Sequence, residues 1–174
     1  KELGIKTKPM VTGPYTMLKL CRYVGTKNAE DFADEVAEIY RQLIAECAGK
    51  NVEWLQFDEP SLVRDMDDDD KALFHRVYDR VFADHAGCKI LLQTYFGDVR
   101  DVYEDIINMP FAGIGLDFIE GRHTRQLIDR YGFPGNKVLF AGLINGKNIW
   151  RNHYDKTLKA IDQLRDKKIN VVLS

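Results

Sequence analysis

Cysteine is scarce in this chain, and its three cysteines follow no pairing pattern. Cys21, Cys47 and Cys88 are odd in number and far apart, so they match neither a disulfide framework nor a zinc spacing such as C-x-x-C. Scattered thiols of this kind are typical of a reducing compartment. We therefore expect a cytoplasmic protein without a metal site built on cysteine.

Long apolar runs and an excess of positive charge are also missing. No apolar run approaches the roughly 20 residues that a membrane-spanning helix needs, so we expect no membrane association. A net charge of −2 and a pI of about 6.1 argue against a general nucleic-acid binder, which would be strongly basic. No initiator Met and no signal peptide precede the polar residues 1–4, and residues 169–173 resemble the start of a strand. We expect a piece of a longer polypeptide.

The overall composition of the chain is typical of a globular protein. It has 174 residues, of which 45% are hydrophobic and 30% charged, enough for one domain with a real core. We predict that residues 1–174 belong to a single domain without an internal boundary.

Strand and helix patterns alternate along the whole sequence. Helical stripes of apolar residues occupy 32–47, 73–82, 99–107, 127–131 and 149–164, the last including Ile149 and Trp150. Short apolar runs, interpreted as six strands, occupy 9–12, 52–60, 89–96, 113–119, 137–144 and 169–173. Strict alternation with strands covered on both faces predicts an α/β fold with a parallel sheet.

Two architectures fit this pattern: an open doubly wound sheet and a (β/α)8 barrel. No G-x-G-x-x-G follows the first strand, which weakens a dinucleotide-binding interpretation. Polar residues end strand after strand, as a barrel mouth requires: Thr12, Asp58, Thr94, Asp117 and Asn145. Because a whole barrel takes about 250 residues, we predict an incomplete (β/α)8 barrel containing about strands three to eight.

Asp58 and Glu59 stand out because two adjacent acids directly follow a buried strand. The carboxyl ends of parallel strands are where ligand-binding groups collect. The pair can equally cap backbone N–H groups or face a neighbouring Lys or Arg, and we favour this structural interpretation. The acid run 65–70 lacks the pattern of a calcium loop and predicts a helix N-cap instead.

Five segments resemble one family over essentially the whole chain. They are GPYT (13–16), WLQFDEPSLV (54–63), LLQTYF (91–96), GLDFIEG (115–121) and LFAGLINGKNIWR (139–151). Together they resemble the amino-terminal domain of cobalamin-independent methionine synthase; the second and last segments are the specific ones.

The resemblance implies a function for the full-length enzyme. In that family two similar (β/α)8 barrels are joined face to face. The enzyme transfers the methyl group of 5-methyltetrahydrofolate, which carries a polyglutamate tail, to homocysteine in methionine biosynthesis. Zinc in the carboxy-terminal catalytic barrel binds the homocysteine thiol and lowers its pKa. That barrel would be the partner of this chain, which by itself would be an inactive scaffold that supports the folate site.

The same resemblance implies that the amino-terminal barrel holds no metal and no catalytic residue. Where the catalytic barrel has His-x-Cys, this chain has Leu92 and Thr94 around Gln93, and the position of its Glu falls near Asp117. Asp58 matches the acid that holds the homocysteine ammonium group. Candidates for substrate binding are Asp58, Glu59, Asp117, Asn145 and Lys147.

Structural alternatives exist for these candidates. Asp117 can form an ion pair with Arg122, which we favour over a substrate contact. The turn at Asn145 and Lys147 can present N–H groups to an anion such as a glutamate tail, or can start an Asn-capped helix, which we favour. We expect Trp54 and Trp150 to be core residues.

Two rival functions use other chemistry. A retaining glycoside hydrolase would use Glu59 with a second acid such as Asp117, and it needs the two carboxyl groups about 5–5.5 Å apart. A decarboxylase-type barrel would use Arg122 and Asp117 in a central cavity.

Overall fold

The computed structural model describes residues 4–5, 7–83 and 87–174 of the chain. Six strands lie in this part of the chain: β1 Met10–Thr12, β2 Trp54–Asp58, β3 Lys89–Gln93, β4 Gly113–Asp117, β5 Val138–Gly142 and β6 Asn170–Leu173. The α-helices are α1 Pro14–Leu20, α2 Ala33–Gly49, α3 Asp68–Phe82, α4 Tyr103–Asn108, α5 Thr124–Tyr131 and α6 Tyr154–Asp166. Two 3-10 turns, Glu30–Phe32 and Pro60–Val63, complete the regular structure of these ranges.

The six strands form a parallel sheet in the order of the sequence, from β1 to β6. β1 pairs with β2 so that Thr12 lies opposite Asp58, and β4 pairs with β5 so that Asp117 lies opposite Gly142. β5 also pairs with β6 in parallel. The predicted α/β fold class with a parallel sheet is confirmed, and the strand order is the one that an incomplete (β/α)8 barrel requires.

Internal contacts divide the chain into two compact units, each with its own core. The first unit comprises residues 1–61 and 66–92, and the second comprises 62–65 and 93–174. That the 174 residues form one domain without an internal boundary stays a prediction.

Aromatic and aliphatic side chains on α2, α3 and β2 build the core of the first unit. Phe57 on β2 is fully buried and meets Tyr40 of α2 edge to face, with 5.3 Å between ring centroids. Phe74 of α3 packs against Tyr15 of α1 at 5.8 Å. These contacts fix α1 and both long helices near the strand that carries the acid pair.

The second unit contains a buried lysine. Lys137 is only 6% exposed, and its ammonium group donates to the carbonyl oxygens of Met109 and Phe111. Desolvation lowers its pKa. The two carbonyl acceptors satisfy a charge that would otherwise be costly to bury.

The N-cap prediction for the acid run 65–70 is confirmed. The Asp67 side chain accepts a hydrogen bond of 2.8 Å from the backbone N–H of Asp70, at the start of α3. The two neighbouring acids, Asp68 and Asp69, lie in the first turn, where the helix dipole favours negative charge.

Three expectations about helices and tryptophans are wrong. A helix not counted from the sequence, α1, follows β1 directly. Helix α6 begins at Tyr154, whereas the stripe suggested residue 149. Ile149 and Trp150 precede it and are 95% and 78% exposed, so Trp150 is not a core residue.

Side chains of asparagine explain why α6 starts late. Asn145 Oδ1 accepts from the N–H of Lys147, and Asn148 Oδ1 accepts from the N–H of Trp150. Such local bonds offer the backbone an alternative to helix. The Asn-capped helix start that we favoured for this segment is therefore also wrong.

None of the helices in the described ranges combines the length and the apolarity required to cross a bilayer.

Candidate functional site

Glu59 is fully buried at the end of β2, and donors occupy both of its carboxyl oxygens. Oε1 accepts from the N–H of Tyr15 at 3.0 Å and from the hydroxyl of Tyr78 at 2.6 Å. Oε2 accepts from the N–H of Thr16 at 2.7 Å. The carboxyl group thus caps the first turn of α1 and ties it to α3.

The residues around Glu59 leave just enough space for its side chain. Gly13 lies so close that a Cβ placed there would be 2.2 Å from the Glu59 Cδ. Its N–H donates to the carbonyl oxygen of Asp58 at 2.7 Å, and the hydroxyl of Thr16 accepts from the N–H of Ser61 at 3.1 Å. Close approach of the backbone, rather than an unusual φ, is what requires glycine here.

Burial raises the pKa of Glu59 to about 7, although Thr16, Tyr78 and the N–H of Tyr15 all act to lower it. Desolvation disfavours the charged form, and the hydrogen bonds to the carboxylate compensate only in part. Near neutral pH this carboxyl group therefore exchanges a proton inside the core of the first unit.

Asp58 has surroundings that differ from those of its neighbour. Its side chain is half-buried and accepts from the amide nitrogen of Gln56 at 2.7 Å. Gln56 and Asp58 are two residues apart on β2 and share one face of the sheet. Burial lowers the pKa of Lys8, and the negative charge of Asp58 acts in the opposite direction. Asp58 therefore lies in a polar environment, whereas Glu59 is enclosed by its hydrogen-bond donors.

Asp117, at the end of β4, organises the loops of the second unit. Oδ1 accepts from the N–H groups of Ile119 and Glu120 at 2.7 and 2.9 Å. Oδ2 accepts from the N–H of Phe96 at 2.8 Å. The predicted ion pair with Arg122 is wrong, because backbone N–H groups take the carboxylate and no such pair occurs among the described residues.

Lys147 contacts two residues, Glu120 and Phe96, that also contact Asp117. Its ammonium group forms an ion pair of 2.7 Å with Glu120 and lies 4.2 Å from the centroid of the Phe96 ring. Asn145 accepts from the N–H of Lys147 at 2.9 Å. Phe96 and Glu120 each contact Asp117 through a backbone N–H and Lys147 through the side chain. The structure therefore brings Asp117, Asn145 and Lys147 close together.

Sequence reasoning missed Phe96. Its φ is +72° and its side chain is 57% exposed. A bulky residue in the left-handed region is uncommon and strained. The positive φ falls on Phe96 and not on the neighbouring Gly97. The sequence therefore gave no sign of the left-handed conformation at Phe96, since glycine is the residue that usually adopts it.

Sequence reasoning also missed Asp98, which is buried among donors. It accepts from the Arg100 guanidinium at 2.8 Å and from the N–H of His123 at 3.2 Å, and the His123 ring nitrogen Nδ1 lies 3.1 Å away. Burial acts to raise the pKa of Asp98, but the hydrogen bonds from His123 and Arg100 hold it below its usual value. Nothing in the local pattern distinguished this aspartate from an exposed turn residue.

Three residues stand where the resemblance places the zinc ligands of the catalytic barrel, and none of them is suited to bind zinc. Leu92 is fully buried and has no donor atom. The Thr94 hydroxyl donates to the carbonyl oxygen of Gly115 at 2.8 Å, and backbone N–H groups occupy both oxygens of Asp117. Across the described ranges, no group of three or more His, Cys, Asp or Glu side chains is arranged to hold a metal ion.

Comparisons with known proteins agree on one family. The family model described as "Cobalamin-independent synthase, N-terminal domain" matches residues 1–169. A 5-methyltetrahydropteroyltriglutamate–homocysteine methyltransferase of Streptococcus thermophilus is 47% identical over 169 residues, which are 97% of this chain and 22% of that protein. The protein of the same name from Lactococcus lactis is 48% identical over 177 residues, which cover 100% of this chain and 23% of that protein.

Solved structures share the fold at low sequence identity. A putative vitamin-B12 independent methionine synthase from Listeria monocytogenes superposes with a TM-score of 0.73 at 19% identity, over 94% of this chain and 55% of that one. A B12-independent methionine synthase from Shewanella, in complex with selenomethionine, superposes with a TM-score of 0.71 at 16% identity, over 94% of this chain and 53% of that one.

The relatives are much longer than this chain, which spans 22–23% of the length of these two curated methyltransferases. None of these matches supports the glycoside hydrolase or the decarboxylase alternative. The buried position of Glu59 gives the hydrolase no support either, because a nucleophile must reach the sugar.

Proposed function

Since this chain belongs to the cobalamin-independent synthase family and matches its N-terminal domain over residues 1–169, we propose that it forms part of the non-catalytic, amino-terminal barrel of a methyltransferase. The full-length enzyme transfers the methyl group of 5-methyltetrahydrofolate to homocysteine and produces methionine. This segment acts as scaffold and supports the folate site.

The observation that carries the scaffold role is how the acids at the strand ends are used. Glu59 holds α1 and α3 together through three donors. Asp117 holds the loops after β3 and β4 through three backbone N–H groups. The resemblance places a zinc ligand of the catalytic barrel near the position of Asp117, whereas here Glu59 and Asp117 both accept hydrogen bonds from their own chain.

Zinc belongs, in this proposal, to a carboxy-terminal catalytic barrel of the same polypeptide. The donor atoms here do not suit it, since leucine and a threonine already engaged with a carbonyl occupy the ligand positions. The partner of this segment is that second barrel, and the substrates bound by the full-length enzyme are a polyglutamylated methylfolate and homocysteine. Unpaired cysteines support a cytoplasmic location.

Substrate contacts within this segment come, in this proposal, from a short set of residues. The candidates are Asp58, Glu59, Asp117, Asn145 and Lys147. Of these, Asp58 and Lys147 are best placed, because both are partly exposed. The carboxylates of Glu59 and Asp117 are instead occupied by backbone N–H groups.

The test is methyl transfer by the full-length enzyme, measured as methionine formed from homocysteine and 5-methyltetrahydrofolate triglutamate. We expect activity in the unsubstituted enzyme. Asp117→Asn should lower the melting temperature while changing kcat less than about threefold, which corresponds to about 0.7 kcal/mol, because no transition-state contact is lost. A hundredfold loss of kcat with an unchanged melting temperature would show a catalytic role and overturn the scaffold proposal.

A further inference from the structure

A cavity of about 580 Å³ lies within the second unit, beside the start of α6. Its walls come from the segment after β5, from the end of β4 and from one face of α6. The volume falls in the range of roughly 300–1,000 Å³ that is typical of small-molecule sites. Of the substrate-site candidates in the second unit, Asn145 lines it, whereas Asp117 and Lys147 do not.

The cavity is lined by positive charge without negative charge. Arg125, Arg151 and Lys156 contribute permanent cations, and His153 lies with them. No aspartate or glutamate is among the lining residues. Arg125, Arg151 and Lys156 are exposed around one cavity, and a bound anion would remove the repulsion between their like charges.

The three cations have no carboxylate partner in the part of the chain that the structure describes. Arg125 donates to the amide oxygen of Gln163 at 3.1 Å. Arg151 lies 5.5 Å from the centroid of the Tyr154 ring. Lys156 forms none of the ion pairs found among the described residues. Lys147, by contrast, is neutralised by Glu120, which shows that this region does pair a cation when an acid is within reach.

Asparagine side chains add oriented neutral donors. Asn145 and Asn148 line the cavity, and their Oδ1 atoms accept from the backbone N–H groups of Lys147 and Trp150. With the oxygens turned to the backbone, the amide nitrogens remain available as donors, and neither nitrogen has an acceptor among the described residues. Asn152 is also held in place, by donating to the hydroxyl of Thr157 at 2.9 Å.

We propose that this cavity binds a small multivalent anion that carries phosphate or carboxylate groups. Two guanidinium groups offer paired N–H donors that match both kinds of oxyanion, and Lys156 and the asparagine amides complete the donor set. Trp150, 78% exposed at the cavity wall, gives an apolar surface to the rest of such a ligand. The inference rests on the cations of the second unit, and it shares only Asn145 with the proposed substrate contacts.

The experiment is calorimetric titration of the full chain with pyrophosphate and, separately, with citrate, at constant ionic strength. We expect saturable binding of at least one of them with one site per chain. Lys156→Ala and Arg151→Ala should each weaken it by about tenfold, which corresponds to about 1.4 kcal/mol, because each removes a charge-assisted hydrogen bond. Preference for pyrophosphate identifies phosphate as the recognised group, preference for citrate identifies carboxylate, and equal affinity identifies charge alone.

The matched control is Lys159→Ala, which removes the same charge from the same helix at an exposed position outside the cavity. It should change the affinity less than twofold, and circular dichroism should show that all three variants keep their helix content. Absence of saturable binding to either anion would overturn the proposal. So would an equal loss in the control variant, because binding would then be non-specific.

Discussion

At the scale of single residues, the protonation of Glu59 makes the clearest prediction. Its pKa of about 7 in the folded chain lies above the ordinary value of 4.5. The folded state therefore binds this proton more tightly than the unfolded state. The stabilisation is fully present below pH 4.5 and is lost as the pH rises through 7, a loss of about 3 kcal/mol.

Glu59→Gln should remove this pH dependence. We expect the free energy of unfolding of the variant, measured by urea titration at a series of pH values, to fall less between pH 5 and pH 8 than that of the unsubstituted chain. At pH 5 the variant should be less stable by about 1–3 kcal/mol, because an amide cannot accept all three hydrogen bonds. The exposed substitution Glu35→Gln should follow the unsubstituted chain, and parallel curves for Glu59→Gln would contradict the assignment.

Gly13 makes a second prediction at this scale. Gly13→Ala would place a methyl group 2.2 Å from the Glu59 carboxyl carbon, which three hydrogen bonds hold in place. We expect a loss of about 1–3 kcal/mol from overpacking, measured by thermal or urea unfolding.

Gly49→Ala is the control for that change. No atom lies within 4 Å of a Cβ at Gly49, which is the last residue of α2. Alanine is the better helix former, so this variant should be as stable as the parent or more stable, by up to about 1 kcal/mol. Equal stability of both alanine variants would show that the Glu59 pocket is looser than the structure indicates.

At the scale of elements, the N-cap of α3 can be tested separately from the charge of its acid run. Asp67→Ala removes the side-chain bond to the N–H of Asp70 and should cost about 1 kcal/mol of unfolding free energy. Asp69→Ala removes a charge from the first turn without removing the cap bond, and should cost less, about 0.3–1 kcal/mol. If Asp69→Ala costs more than Asp67→Ala, the cap bond is not what stabilises the helix start.

The strands were easier to anticipate than the helix boundaries. All six observed strands lie within the predicted segments, because their apolar runs are short and bounded by turn residues. The expectation that the strands are covered on both faces is wrong for β1 and β6, which are largely exposed. The start of α6 was misplaced because Ile149 and Trp150 fit a helical stripe by spacing alone. The bonds from Asn145 and Asn148 that divert the backbone act over two residues, and an apolar periodicity does not detect them.

At the scale of the whole molecule, the absence of suitable donors in the described ranges predicts weak zinc binding. Leu92 and Thr94 stand where the resemblance would place ligands, and Asp117 is occupied. After incubation with equimolar zinc and gel filtration, the chain should retain less than about 0.1 zinc per molecule, because carboxylates alone rarely make a structural zinc site. Stoichiometric zinc on this chain would contradict the proposal that the metal belongs to a second barrel.

The positions of the acids at the strand ends were predictable, but their contacts were not. The positions of Asp58, Glu59 and Asp117 follow from strand ends, which the apolar runs mark. The donors to Glu59 come from residues 44, 43 and 19 positions away, so no local pattern identifies them. Phe96 and Asp98 were missed for the same reason, since their partners lie 21 and 25 positions away.

The sequence by itself determined the order and kind of the strands, the fold class and the family, because apolar spacing and short motifs are local properties of a chain. Only the tertiary structure decided which acids are buried, which side chains neutralise them and where cations are left without a counter-ion. Those outcomes depend on burial and on distances of a few ångströms between residues that are far apart in sequence. The same two aspartates and one glutamate could have faced a ligand; packing turned Glu59 and Asp117 toward their own backbone.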